Sequence, residues 1–183
     1  MHRGRMDGRG QPDHPKGIPR HNPRNAGSTL ERASVRLAPM PFSSTASLDI
    51  RAPLSGVWDA ITKPEIVKQY FFGTNLVTDW KVGSPLFFRG EWQGKTYEDR
   101  GTVLSFDPMK SLSYNYWSSF SGIEDSPALR QIIQFDLDSI VDGVRITIRQ
   151  SNVDTQARAD HSATNWRSVL EALKLLLEGK PAA

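Results

Sequence analysis

The stretch DHSATNWRSVLEALKLLLE, Asp160 to Glu178, decides the fold. Its large apolar residues are Trp166, Val169, Leu170, Leu173, Leu176 and Leu177. They recur at the three- and four-residue spacing that gathers side chains on one stripe of an α-helix. Arg167, Glu171, Lys174 and Glu178 fall on the opposite face. Asp160 or Ser162 is placed to cap the start, and Gly179 followed by Pro181 to stop the end. So broad a stripe needs an equally broad apolar surface to lie on, and the upstream sequence reads as the sheet that supplies it.

Working back from that helix, Val144 to Arg149 alternates Val144, Ile146 and Ile148 with Arg145, Thr147 and Arg149, the period of a half-buried strand. Gln150 to Ala159 is read as a linker. Asp142-Gly143 is a turn, and Leu129 to Leu137 places Leu129, Gln131, Ile133, Phe135 and Leu137 on one face. Ser111 to Trp117 puts Leu112, Tyr114 and Tyr116 on one face, and Ser113, Asn115 and Trp117 on the other. Further strands are predicted over Thr96–Phe106, Leu86–Trp92, Asn75–Asp79 and Thr45–Arg51, with a hairpin turn at Gln93-Gly94-Lys95. Between Thr45–Arg51 and Asn75–Asp79, Pro53–Ile61 and a segment capped by Thr62 and running to Tyr70 read as short helices. Turns this short force antiparallel pairing. The fold class expected is α+β: a twisted antiparallel sheet of about six or seven strands wrapped around one long C-terminal helix, a helix-grip arrangement. A strongly twisted sheet rarely fills the space under a single helix, and a pocket is expected in that gap.

All 17 aromatic residues lie at Phe42 or later. Residues 1–41 hold six of the 12 prolines, five glycines and eight Lys/Arg against three Asp/Glu. The basic balance of the chain therefore belongs to this segment, while the rest carries 15 Lys/Arg against 17 Asp/Glu. A segment without aromatics cannot bury enough apolar surface to offset its ordering entropy. Residues 1–41 are thus expected to be a disordered tail, and 42–179 the folded domain. Without interleaved aromatics or a dense Lys/Arg run, the tail is a poor nucleic-acid arm. Its three acidic residues and lack of amphipathicity also disfavour a transit peptide. An upstream extension of the reading frame, with Met40 as the start, is the expectation.

No apolar run of membrane-spanning length and no signal-peptide core occur, so the cytoplasm is the expected compartment. Cysteine is absent, which removes disulfides, thiolate metal sites and thiol nucleophiles. His161 is the one histidine after the tail, with no matched serine, so no catalytic triad is assigned. One histidine with scattered carboxylates makes no metal site. No cofactor is expected.

Local motifs carry a resemblance to a known family. Arg51 to Gly73, RAPLSGVWDAITKPEIVKQYFFG, resembles the opening motif of the heat shock protein 90 ATPase activator-like (AHSA-like) family, in the START-like (SRPBCC) superfamily. Val82-Gly83 before Leu86-Phe87-Phe88 resembles that family's Gly-then-Phe strand start. Gly101-Thr102-Val103 with Asp107-Pro108 and Leu112 to Trp117 resembles its next block. Thr147 and Asn165-Trp166 with Leu170 and Leu173 resemble its closing block. The resemblance spans about Ala46 to Glu178 and departs at Tyr70, where the family usually has Trp, and at Asn165, where Gly is common. It implies the helix-grip fold and a cavity protein. Through the eukaryotic namesake, which stimulates a chaperone ATPase, it also implies a link to stress response.

The aromatic residues are the leading site candidates, since Tyr and Trp join large apolar bodies to polar tips. Tyr114 and Tyr116 head a predicted cavity wall that also takes Trp80, Phe88, Trp92, Trp117, Trp166, Leu170 and Leu173. Arg100 or Arg130, if inward, would anchor a carboxylate or phenolate. Counting from Val103 puts Asp99 and Tyr97 on its face and Arg100 opposite. The function expected is binding of a small hydrophobic or aromatic ligand. The alternatives are a cyclase/aromatase- or dehydratase-like enzyme using the same cavity, and a protein-binding module contacting a chaperone or a second copy of the chain.

Overall fold

The computed structural model describes residues 40–179, so the expected tail, apart from Met40 and Pro41, lies outside the described residues. In chain order the elements are β1 (Phe42–Ile50), α1 (Leu54–Thr62), α2 (Pro64–Tyr70), β2 (Asn75–Val77), β3 (Pro85–Trp92), β4 (Lys95–Asp107), β5 (Ser111–Trp117), β6 (Gln131–Ile140), β7 (Gly143–Val153) and α3 (Gln156–Glu178). The seven strands form one antiparallel sheet in the order β1-β7-β6-β5-β4-β3-β2, the predicted α+β helix-grip arrangement. From β3 to β7 each strand pairs with its sequence neighbour. Only β1 is out of order, joining β7 at the far edge.

Two tight turns show why the meander closes as it does. Gln93 and Gly94 both take positive φ, 51° and 75°, the twist that a two-residue hairpin needs. Gly143 opens β7 with φ 153°, and a Cβ there would lie 2.1 Å from the carbonyl oxygen of Ile50. Glycine is the residue that lets the end of β1 reach β7.

Period-two burial runs through the sheet: Leu112 and Tyr114 on β5, Ile133, Phe135 and Leu137 on β6, and Val144, Ile146 and Ile148 on β7 face the core. Helix α3 packs on that face against β1, β7 and α2. Val169, Leu170 and Leu173 are buried, and burial of Leu170 alone contributes about 2 kcal/mol. Leu176 at the far end of the predicted stripe is instead exposed.

The structure corrects several boundaries. Helix α3 starts at Gln156, a turn before the predicted caps, and Thr155 caps it by accepting from the Arg158 backbone N–H at 3.2 Å. The predicted linker is in fact strand up to Val153, because β1 begins at Phe42 and pairs with it there. Polar Gln156, Arg158 and Asp160 hid this first helical turn from any apolar count; its one buried residue is Ala159. Thr62 does not cap α2. Its hydroxyl donates back to the Trp58 carbonyl at 2.7 Å, closing α1, and Lys63 precedes Pro64 as the junction. Strand β6 begins at Gln131, since Leu129 is taken up in a turn hydrogen-bonded to Ser126.

Candidate functional site

Between α3 and the sheet two spaces share a wall. The deeper, about 30 Å³, is lined by Tyr70, Trp80, Leu112, Leu170 and Leu173 among others. The wider, about 240 Å³, lies nearer the start of α3 and adds Phe72, Tyr116, Gln131, Ile133, Gln150, Ser162 and Asn165. Phe71, Phe88, Tyr114, Trp166 and Val169 line both. The deep space has room for about one water. The wide one exceeds the ~150 Å³ that admits benzene in an apolar protein interior.

Aromatic rings build the shared wall. Phe71, just past α2, stacks on Trp166 of α3 with centroids 5.9 Å apart and planes 6° from parallel. Phe88 of β3 meets Tyr114 at 5.7 Å and stands edge-on to Tyr116 at 5.9 Å. Phe135 of β6 stands edge-on to Trp166 at 5.8 Å. Offset and edge-on pairs of this kind add roughly 0.5–1.5 kcal/mol each beyond area burial.

The polar groups fall into three sets. Trp166 Nε1 donates to Gln150 Oε1 at 2.5 Å, and Gln150 Nε2 donates to Gln131 Oε1 at 2.6 Å. The Tyr116 hydroxyl donates to Asp99 Oδ2 at 2.5 Å, while Asp99 Oδ1 accepts from the backbone N–H and the hydroxyl of Ser119, both at 2.8 Å. Tyr70 donates to the Ala60 carbonyl at 3.1 Å. The Tyr114 hydroxyl has no hydrogen-bond partner among the described residues. Burial pushes the Tyr70 and Tyr114 phenols up, and it pushes Tyr116 well up, reinforced by the Asp99 charge. All three phenols therefore keep their protons at neutral pH and offer O–H groups, not phenolates.

Of the residues picked from sequence, Tyr114, Tyr116, Trp80, Phe88, Trp166, Leu170 and Leu173 stand on the cavity wall. Trp92 and Trp117 do not. Trp92 shares the inward parity of Phe88 but sits at the hairpin end of β3, half-exposed and edge-on to Phe72 at 6.2 Å. Trp117 lies on the other face of β5, where its Nε1 donates to the Ile123 carbonyl at 2.7 Å. Its parity, opposite to Tyr116, already excluded it. Neither arginine is an inward anchor. Arg100 faces outward beside Glu98 at 3.3 Å, as the count from Val103 placed it. Arg130 forms a two-pronged pair with Asp125 at 2.8 and 3.1 Å and donates to Asn115 Oδ1 at 3.1 Å, tying the β5–β6 loop to the outer face.

Sequence reasoning passed over Gln131, Gln150, Asp99, Phe71 and Phe72. The signal for the glutamines was present: each has the parity of buried Ile133 or Ile148, so each is an amide on an otherwise apolar face. Asp99 carried the same mark, inward parity with Val103. His161 is exposed, with its ring nitrogen 3.3 Å from Asn165 Nδ2.

The family described as activator of Hsp90 ATPase homolog 1-like protein matches residues 51–178. A protein from Cytophaga hutchinsonii, solved in solution, is 39% identical with a TM-score of 0.68, over 77% of this chain and 97% of that one. The Aha1 dimer from Colwellia psychrerythraea is 20% identical with a TM-score of 0.60, over 77% of this chain and 100% of that one. CalU16 from Micromonospora echinospora is 18% identical with a TM-score of 0.58, over 75% and 77% of the two chains. No curated protein matches the chain.

Proposed function

The chain belongs to the activator of Hsp90 ATPase homolog 1-like family, and from that premise we propose that it binds a small apolar or aromatic molecule in the wide chamber under α3, with no covalent chemistry assigned. The observation that carries this reading is the chamber itself. It has about 240 Å³ of space, aromatic walls, and a few uncharged polar groups at one end. Apolar concavities with a small number of placed polar groups are what small-molecule sites look like. No helix among the described residues is long and apolar enough to cross a membrane, and the cytoplasm is the compartment this reading takes.

Native mass spectrometry of the protein purified from its own host tests the reading, with denaturing analysis of whatever is released. A stoichiometric small molecule supports it. An empty protein, whose tryptophan emission also ignores a panel of apolar aromatic compounds, sinks it.

One observation favours a second reading, a cyclase- or dehydratase-like enzyme in the same cavity. Tyr116 is a chamber phenol that donates to a buried carboxylate, Asp99, and such a pair can hold and move a proton. Turnover lost in Tyr116→Phe with ligand affinity retained would select this reading over simple binding.

A further inference from the structure

The polar end of the wide chamber has a direction. The indole N–H of Trp166 is a donor with no acceptor form, so the Gln150 amide must present its oxygen there, at 2.5 Å. Gln150 Nε2 is thereby turned to Gln131, which must answer with Oε1, at 2.6 Å. Flipping either amide sets N–H against N–H or oxygen against oxygen. One fixed donor on α3 thus orients two side chains on β6 and β7. The end of this relay is Gln131 Nε2, whose N–H groups have no acceptor among the described residues. It belongs to a residue that lines the chamber.

Charge sharpens the point. No ionisable acid or base other than tyrosine lines either space. The nearest buried carboxylate is Asp99, directly behind Tyr116. An anion entering would find no counter-charge and would face that carboxylate across one phenol, and an unpaired buried charge is strongly disfavoured. Size sets the rest. A space of about 240 Å³ against the ~150 Å³ that admits benzene corresponds to a body of two fused rings.

We propose that Gln131 is the specificity-determining donor of this chamber. Its ligand then presents an uncharged hydrogen-bond acceptor, a carbonyl of the ketone or quinone kind, on a planar apolar body of about bicyclic size. This deepens the small-molecule reading and rests on it.

The test is calorimetric titration of the full chain with three probes of one shape: 2-acetylnaphthalene, 2-ethylnaphthalene and 2-naphthoate. The ketone binds roughly tenfold more tightly than the ethyl compound, the upper end of what one net hydrogen bond contributes. The carboxylate binds more weakly than either. Gln131→Leu erases the gap between ketone and ethyl compound without weakening the latter, and Gln131→Glu reverses the gap. Thermal unfolding of both variants reports whether either has lost its fold, and the pair keeps the test decisive if one has. Equal binding of ketone and ethyl compound to the natural chain overturns the role of Gln131 while leaving the cavity reading standing. So does a gap that persists in Gln131→Leu. Failure of all three probes against the folded chain overturns this inference, and the native mass spectrum decides separately whether the binding reading falls.

Discussion

The two halves of α3 lie on one sheet and meet it in opposite ways. From Val169 onward the helix is welded down: Val169, Leu170 and Leu173 are buried, with Leu170 fully so. The end of this half is pinned to the edge of the sheet. Glu178 accepts the Arg51 backbone N–H at 2.7 Å, and Lys174 Nζ donates to the Asp49 carbonyl at 2.7 Å. The N-terminal half, from Gln156 to Trp166, buries only Ala159 and bridges the wide chamber with Ser162, Asn165 and Trp166. One half supplies stability and the other leaves room. Trp166 stands where the two meet, lining both spaces.

The contrast can be broken at four places. Leu170→Ala strikes the welded half and should cost roughly 2–5 kcal/mol in denaturant unfolding, the range for emptying a packed leucine site. A loss under about 1 kcal/mol would mean that half is not packed as described. Trp166→Phe removes the indole N–H and leaves the buried Gln150 oxygen without a donor. Its expected cost is about 1–3 kcal/mol by the same measurement, together with a narrowed preference for ketone over ethyl probe.

Ser162→Leu fills space over the chamber with a good helix former. Stability should move by less than about 1 kcal/mol while 2-acetylnaphthalene affinity falls at least tenfold. A large stability loss there would erase the distinction between the halves. The smallest effect is at the pinned end. The Arg51 backbone N–H, with Lys174, holds the Glu178 carboxyl below the ordinary glutamate range. A carboxylate whose pKa is lower folded than unfolded stabilises the fold above the unfolded pKa. That contribution is lost as pH falls through the folded value. Glu178→Gln should therefore lower stability slightly at neutral pH, and that deficit should disappear as pH falls below about 4.5, leaving a slightly flatter acid limb in the stability–pH curve.

The welded half was plain in the sequence because Val169, Leu170 and Leu173 need only periodicity to be found. Strand parity likewise set Tyr114 and Tyr116 inward and Arg100 outward. The register shift in β4 between Val103 and Ser105 lies past the stretch where the count mattered. Parity says which face a side chain takes, not how far the helix reaches over it. That is why Trp92 was placed in a wall it does not join. The open half was harder to read for a related reason. It is made of Gln131, Gln150, Ser162 and Asn165, whose meaning depends on partners far along the chain: Trp166 is 16 residues from Gln150, and Gln150 is 19 from Gln131.

The out-of-order edge strand bears on how the chain assembles as it is made. Strand β1 is the first described element to emerge during synthesis, yet its partner runs from Gly143 to Val153, at the end of the meander. Phe42 pairs with Val153, and Ile50 with Val144. Every strand from β3 onward pairs with its immediate predecessor, across short connections except for the longer 118–130 loop before β6, whereas β1 must wait for a closure across most of the domain. The β3–β7 meander can therefore organise first, with β1 and α3 arriving on it late and together. Until then, β1 is an unpaired strand in need of a partner, the kind of edge that invites association between half-made chains.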